Sequence, residues 1–155
     1  MRAELRDPVD HHKLQLLLPL TRAVFQLHEN GREYATELQQ ISRLLGDDVD
    51  RIDVLGAFGS TRADEFAKQL AIDWHAVPTD LSEPELLELL DAVCACRGDE
   101  TLIDYWVRCL SINTCDDRIS DLIFWPETYF GAEYDGRELS PAEMLEVVLR
   151  KRGME

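Results

Sequence analysis

The clearest helix signal in the chain is the stretch SEPELLELLDAV, residues 82–93. Ser82 and Glu85 have the spacing of a capping box, in which the serine side chain accepts a hydrogen bond from the backbone of the third helical residue and the glutamate side chain returns one. The leucines that follow recur at the spacing of a helix face packed on a core. This stretch therefore predicts an amphipathic helix that begins at Ser82.

Similar signals extend in both directions from this helix. Asp99 stands where it can cap a helix over residues 100–114, and Ser140-Pro141-Ala142-Glu143 is a second capping box with proline at the first helical position. Apolar periodicity predicts three more helices, over residues 12–29, 32–45 and, after a cap at Ser60 or Thr61, as far as Trp74. Residues 52–58 are too few to assign. The sequence predicts an all-α protein.

A domain boundary is predicted at Val77-Pro78-Thr79-Asp80, where a proline and two turn-forming residues interrupt the helical pattern. The boundary also separates segments of different charge, because residues 1–77 hold 13 acidic and 9 basic side chains whereas residues 78–155 hold 18 and 7. We therefore expect a helical N-terminal domain of unknown role, residues 1–76, and a C-terminal domain, residues 77–155.

Charge limits the classes of partner. The chain carries 31 acidic and 16 basic residues, a net charge of −15, so direct binding to nucleic acid is not expected. The acidic surface fits either a well-solvated protein or one that meets a basic partner. No apolar run reaches the length of a membrane span and the N-terminus lacks the pattern of a secretory signal. We expect a cytoplasmic protein that does not bind membranes; its oligomeric state stays open.

The sequence predicts neither catalysis nor the binding of a metal or other cofactor. The four cysteines, at positions 94, 96, 109 and 115, do not have the spacing of a zinc site, so no metal or other cofactor is expected. Cys94 and Cys109 are instead expected to act as small apolar residues on buried helix faces. No glycine-rich phosphate loop is present, and His11, His12 and His28 are interpreted as surface residues. The chain is therefore not expected to be an enzyme.

One segment does not fit a simple core helix: Ser120-Asp121-Leu122-Ile123-Phe124-Trp125-Pro126. Two adjacent large aromatic residues after two aliphatic ones cannot all face inward on a single helical turn, so at least one should be exposed. An exposed aromatic side chain beside a carboxylate is typical of a binding anchor. A short apolar run before a proline is equally typical of a segment that closes a core, and both interpretations stay open at this point.

This segment, with the two capping boxes around it, resembles the immunity proteins of the nuclease colicins and S-type pyocins, which are small acidic bacterial inhibitors. The resemblance covers about residues 79–152, half of the chain, and its most specific part is SDLIFWP at 120–126. It implies a C-terminal four-helix bundle, preceded here by a small helical N-terminal region. It also implies a function: the inhibitor binds the nuclease domain of a cognate toxin beside its active site and, by its bulk and negative charge, keeps DNA from that site without doing chemistry.

The resemblance also assigns residue roles. In that family a short third helix carries a shared hot spot of two tyrosines and an aspartate, and the second helix selects the partner. Carried over, the hot spot is Asp121, Phe124 and Trp125, with Ser120 and Pro126 shaping the turn. The selecting face is Glu100, Ile103, Asp104, Val107, Arg108 and Ser111. Helical spacing independently places 100, 104, 107, 108 and 111 on one stripe and Trp106 and Leu110 on the other side.

The chain departs from the family pattern in three places. Phe124 and Trp125 replace the tyrosine pair. A partner group that formed a hydrogen bond with a tyrosine hydroxyl would be left unsatisfied, at a cost to binding of about 1–3 kcal/mol. Arg108 and Ser111 reduce the negative charge of the selecting face, and the acidic loop at 127–138 is longer than the family's. An acidic adaptor, or a DNA mimic that occupies a basic DNA-binding protein, is the alternative function that composition does not separate from immunity.

Overall fold

A computed structural model describes residues 1–59 and 61–153, and over these ranges the protein is all-helical, as predicted. No strand is present in the described ranges, although Val9 and Ile72 form an isolated antiparallel bridge. The helices are α1 (Ala3–Arg6), α2 (His11–Glu29), α3 (Ala35–Leu45), α4 (Arg51–Phe58), α5 (Ala63–Leu70), α6 (Glu83–Cys94), α7 (Glu100–Thr114), α8 (Ile119–Phe124), α9 (Pro126–Phe130) and α10 (Pro141–Gly153), with a 3₁₀ turn at Gly131–Glu133. None of these described helices is both long and apolar enough to cross a membrane.

The chain divides into two compact units at a place close to the predicted boundary. The N-terminal unit is Pro8–Asp73, and the C-terminal unit comprises Met1–Asp7 together with the chain from Trp74 onward. The first seven residues therefore group with the C-terminal unit, whereas the sequence placed them in the domain 1–76. The reason is packing: Leu5 is 1% exposed, and its carbonyl oxygen accepts a buried hydrogen bond of 2.7 Å from Nε1 of Trp106.

The N-terminal unit is built around apolar side chains from α2, α3, α4 and α5. Leu17 and Val24 of α2 and Ile41 of α3 are fully buried, and the Phe25 ring stacks on Phe66 with centroids 5.6 Å apart. Residues 51–58, which the sequence left unassigned, form α4. Its N-terminus is held by a capping box between Asp50 and Asp53. The two aspartates therefore stabilise the start of a helix that the apolar pattern alone did not predict.

The helix α5 is shorter than predicted. It begins at Ala63 after Arg62, whose side chain makes no capping hydrogen bond, and it ends at Leu70 instead of reaching Trp74. The chain leaves the helix because the carbonyl oxygen of Ala71 accepts a 2.9 Å hydrogen bond from the backbone amide of Asp10. This hydrogen bond lies next to the isolated bridge between Val9 and Ile72. Because α5 begins after Arg62, the predicted cap at Thr61 is wrong, and the alternative cap at Ser60 lies outside the described residues.

The C-terminal unit packs α6, α7, α8 and α10 on one apolar core. Side chains at most 4% exposed come from each of the first three helices: Leu86, Leu89, Leu90, Val93, Tyr105, Trp106, Cys109, Leu110, Ile119 and Leu122. Both predicted capping boxes form, since Ser82 and Glu85 exchange backbone hydrogen bonds, as do Ser140 and Glu143. The predicted orientation of α7 is confirmed, because Trp106 and Leu110 face the core.

The helix α6 ends at Cys94, before the predicted end near residue 97. Cys96 adopts a left-handed backbone conformation, with φ of 51°, and the amide of Arg97 returns to the carbonyl of Ala92 over 3.0 Å. This is the hydrogen bond of a Schellman-type helix end. Cys94, the last residue of the helix, is exposed, so the prediction that it is a buried apolar residue is wrong, whereas Cys109 is buried as predicted.

Thiol reactivity should separate these cysteines. Cys94, Cys96 and Cys115 are exposed, whereas Cys109 is fully buried and burial raises its pKa to about 11. At pH 8 we expect Ellman's reagent to modify the three exposed thiols of the native protein, and the fourth only after urea is added, because the thiolate is the reacting species. Four rapidly reacting thiols in the native state would contradict the position of Cys109.

Candidate functional site

The exposed aromatic surface of the C-terminal unit is the pair Phe124 and Trp125, which we call the aromatic pair. Their side chains are 43% and 55% exposed, and the two rings meet edge to face with centroids 5.8 Å apart. The prediction that at least one of them is exposed is confirmed for both. Asp121, one turn earlier on α8, is partly buried and lies 3.5 Å from the Nε of Arg118.

The outward position of the aromatic pair follows from the way α8 is anchored and ended. Ile119 and Leu122 are buried on the core side, which leaves the following residues on the outside. Pro126 has no amide hydrogen to continue the helix and disfavours helical backbone in the residue before it. Trp125 accordingly has φ of −140° and ψ of 66° between α8 and α9, and its amide bonds to the carbonyl of Asp121 over 2.7 Å.

The remaining predicted turn residues support this arrangement. Ser120 is partly buried within α8, and Pro126 is the partly buried first residue of α9. The carbonyl of Trp125 accepts hydrogen bonds from the amides of Thr128 and Tyr129, at 2.9 and 3.2 Å. The helix α9 therefore begins at the backbone that carries the aromatic pair, in a segment that the sequence treated only as an acidic loop.

This segment is held in place by a group of polar residues, which we call the Asp116 cluster: Asp116, Arg118, Tyr129 and Lys151. The carboxylate of Asp116 is buried, its Oδ2 accepts a hydrogen bond of 2.7 Å from the Tyr129 hydroxyl, and Lys151 Nζ lies 3.6 Å from the same oxygen. The guanidinium of Arg118 donates to the carbonyl of Thr128, 2.7 Å, and lies over the Tyr129 ring. Burial, and then the bond to Asp116, raise the pKa of Tyr129, so its hydroxyl remains a donor at neutral pH.

Tyr129→Phe should lower the free energy of unfolding of the C-terminal unit by about 1–3 kcal/mol, because it leaves a buried carboxylate without its shortest hydrogen bond. All three tryptophans, at 74, 106 and 125, lie in this unit. Their fluorescence during urea unfolding therefore reports on this unit alone.

The matched control is Tyr134→Phe. The Tyr134 hydroxyl also makes a hydrogen bond, 3.1 Å to the carbonyl of Arg137, but in an exposed position. We expect this change to cost less than about 0.5 kcal/mol. Equal losses in the two variants would show that the Asp116 cluster does not hold the segment.

The predicted selecting face lies along the outer side of α7. Glu100, Asp104 and Arg108 are exposed, and Ile103, Val107 and Ser111 are partly buried. Partial desolvation, and then the nearby charge of Glu100, raise the pKa of Asp104. The two carboxylates make no ion pair within the described residues, so this end of α7 presents uncompensated negative charge.

Arg108 contributes to the unit's own structure as well as to that face. Its Nε donates a 2.8 Å hydrogen bond to the backbone carbonyl of Trp74. The same tryptophan ring meets Tyr105 edge to face, with centroids 6.0 Å apart. The guanidinium therefore holds the segment that enters the C-terminal unit, a role that its position on the selecting face did not indicate.

Sequence reasoning missed two features of this site. The Asp116 cluster joins residues 116, 118, 129 and 151, whose separation along the chain gives no local pattern. The second feature is the stack of Phe130 on Tyr134, with ring planes 4° apart and centroids at 5.9 Å. A signal for the stack was present, since aromatic residues recur at 129, 130 and 134 within an otherwise acidic segment.

The described residues do not gather three or more histidine, cysteine, aspartate or glutamate side chains into a potential metal site. His28, interpreted as a surface residue, is partly buried in the N-terminal unit. Its Nδ1 lies 3.0 Å from the Tyr34 hydroxyl, and its ring packs edge to face on Phe58 with centroids 4.4 Å apart. His28 is therefore partly packed against aromatic residues of this unit and is not simply a surface residue.

Comparison with known proteins identifies no relative of this chain: no protein-family model, curated protein or solved structure matches it.

Proposed function

We propose that this protein is a bacterial immunity protein that binds the nuclease domain of a cognate toxin and inhibits it stoichiometrically, without catalysis. The observation that carries the proposal is the exposed aromatic pair beside Asp121 on the acidic C-terminal unit. Its two large side chains are exposed side by side on a segment that the Asp116 cluster holds in place. Such an arrangement is typical of a preorganised binding anchor.

Charge and apolar contact contribute to different steps of binding. A nuclease domain presents a basic surface to nucleic acid, and the negative potential of the inhibitor would speed its approach. Aromatic side chains that become desolvated at the centre of an interface typically contribute most of the binding energy. In this account Phe124 and Trp125 supply affinity, and the surrounding carboxylates exclude nucleic acid from the bound nuclease.

Partner choice is assigned to the outer side of α7. Glu100 and Asp104 offer unpaired carboxylates there, while Ile103 and Val107 offer partly buried apolar contacts. The helix order α6, α7, the short α8 and α10 agrees with the order that the resemblance implies. The additional helix α9 extends the segment after the aromatic pair, and we propose that it adds acidic contact area next to the hot spot.

The alternative is an acidic adaptor or DNA mimic, and it makes a different prediction about mutations. A diffuse mimic depends on total charge, so its affinity should fall gradually as acidic residues are removed one at a time. An immunity protein should lose affinity abruptly at the aromatic pair. The side-by-side exposure of two large aromatic residues favours the second behaviour, because a charge mimic has no use for apolar surface.

Affinity capture tests the proposal directly. Tagged full-length protein and the double variant Phe124→Ala/Trp125→Ala are used as paired baits in lysate of the source organism at moderate salt. We expect the native bait, and not the variant, to retain a basic nuclease that is inactive on a plasmid or RNA substrate until it is released. Capture by both baits of the same basic proteins, none of them nucleases, would support the adaptor function instead.

A further inference from the structure

An apolar groove lies between α2 and α3 of the N-terminal unit. Its volume is about 490 Å³, and it is lined by Leu16, Pro19, Leu20, Gln40, Arg43 and Leu44. The lining positions have the same spacing on both helices, three and then one residue apart, so they form two facing rows. Leu16 is 43% exposed at this groove although it is large and apolar.

The same unit carries an apolar projection on α4. Ile52 and Leu55, three residues apart and therefore neighbours on one helix face, are 75% and 54% exposed. The opposite face of α4 is anchored, because Val54 and Ala57 are buried in the core of this unit. The projection is thus held in place by the same helix that presents it.

Charge at the two surfaces is complementary. Arg43 at the edge of the groove forms no ion pair with any residue in the described ranges. The residues around the start of α4 are acidic, with Asp48, Asp50 and Asp53 beside the projection. On α4 itself, the guanidinium of Arg51 is already paired with Glu33 at 3.1 Å. A cationic groove edge and an acidic projection therefore occur on one unit.

We propose that the N-terminal unit forms a two-fold homodimer in which α4 of each copy docks in the α2–α3 groove of the other. A single copy carries both surfaces, and a two-fold arrangement in which the contact forms twice closes the assembly at two chains. Ile52 and Leu55 enter the groove, and Arg43 meets the acidic start of the partner's α4. This inference is independent of the proposed inhibitory function.

Sedimentation equilibrium of the full-length protein across the micromolar range tests the dimer. We expect Leu16→Glu and Ile52→Glu each to raise the dimer dissociation constant at least tenfold, since each places a carboxylate in both contacts. Both residues are exposed, so the far-ultraviolet circular dichroism should be unchanged. Gln15→Glu, an equal charge change on the neighbouring exposed residue of α2, should leave the dimer intact.

Mixing the two variants gives a stronger test. A heterodimer of the Leu16→Glu and Ile52→Glu chains retains one intact contact, between the unaltered α4 of the first and the unaltered groove of the second. We therefore expect the mixture to associate more tightly than either variant alone. A native protein that is monomeric at every concentration, or a dimer that neither substitution weakens, would overturn the proposal.

Discussion

Trp125→Ala should leave the protein folded and weaken its binding to the cognate nuclease by about 2 kcal/mol or more, which is roughly thirtyfold in Kd. The fold should survive because the side chain is 55% exposed, whereas α8 is anchored in the core by other residues, Ile119 and Leu122. The affinity should fall because the indole would become desolvated in the complex. Isothermal titration calorimetry with the captured nuclease measures the loss.

Two controls make this prediction specific. Trp125→Phe keeps an aromatic anchor and should lose much less affinity than Trp125→Ala. Among carboxylates, Asp121→Asn should weaken binding more than Asp117→Asn, because Asp121 lies one turn before the aromatic pair whereas Asp117 is an exposed residue before α8. If Trp125→Ala instead unfolds the C-terminal unit, the tryptophan is a core residue and the anchor interpretation is wrong.

Leu5→Ala should lower the free energy of unfolding of the C-terminal unit by about 2–5 kcal/mol, the range for emptying a fully buried leucine site. Leu5 is 1% exposed, and the backbone beside it accepts the buried hydrogen bond from Trp106. The loss is expected even though the residue is about seventy positions from the next segment of its unit. Urea unfolding followed by tryptophan fluorescence measures it.

The control for Leu5 is Glu4→Ala, which alters an exposed side chain on the same short helix. We expect it to change the free energy of unfolding by less than about 0.5 kcal/mol. If Leu5→Ala proves as mild as Glu4→Ala, the first seven residues do not belong to the C-terminal core. Deleting residues 1–7 should then also be tolerated.

The prediction of the helices succeeded where local chemistry decides the structure. Each of the caps at Ser82, Asp99 and Ser140 is a pattern of at most four consecutive residues. The helices begin where these caps predict. The ends were harder to predict. Cys96 closes α6 in a left-handed conformation that glycine or asparagine more commonly adopts, and the chain leaves α5 to meet Asp10, far away in sequence.

The candidate site was predicted only in part for the same reason. Exposure of the aromatic pair follows from the crowding of Leu122, Ile123, Phe124 and Trp125 on too little helix surface, and that argument is local. The Asp116 cluster brings α10 to the segment after α8, and the position of Leu5 against Trp106 spans most of the chain. Contacts of this kind depend on tertiary packing and leave no periodic trace in the sequence.

We propose that the C-terminal unit inhibits a nuclease by binding it in a one-to-one complex. The most direct test is a titration of the captured nuclease with purified full-length protein, with cleavage of nucleic acid as the readout. We predict a linear loss of activity that ends at one chain per nuclease and that Trp125→Ala shifts to much higher concentration. Full nuclease activity in the presence of excess folded native protein would contradict the claim.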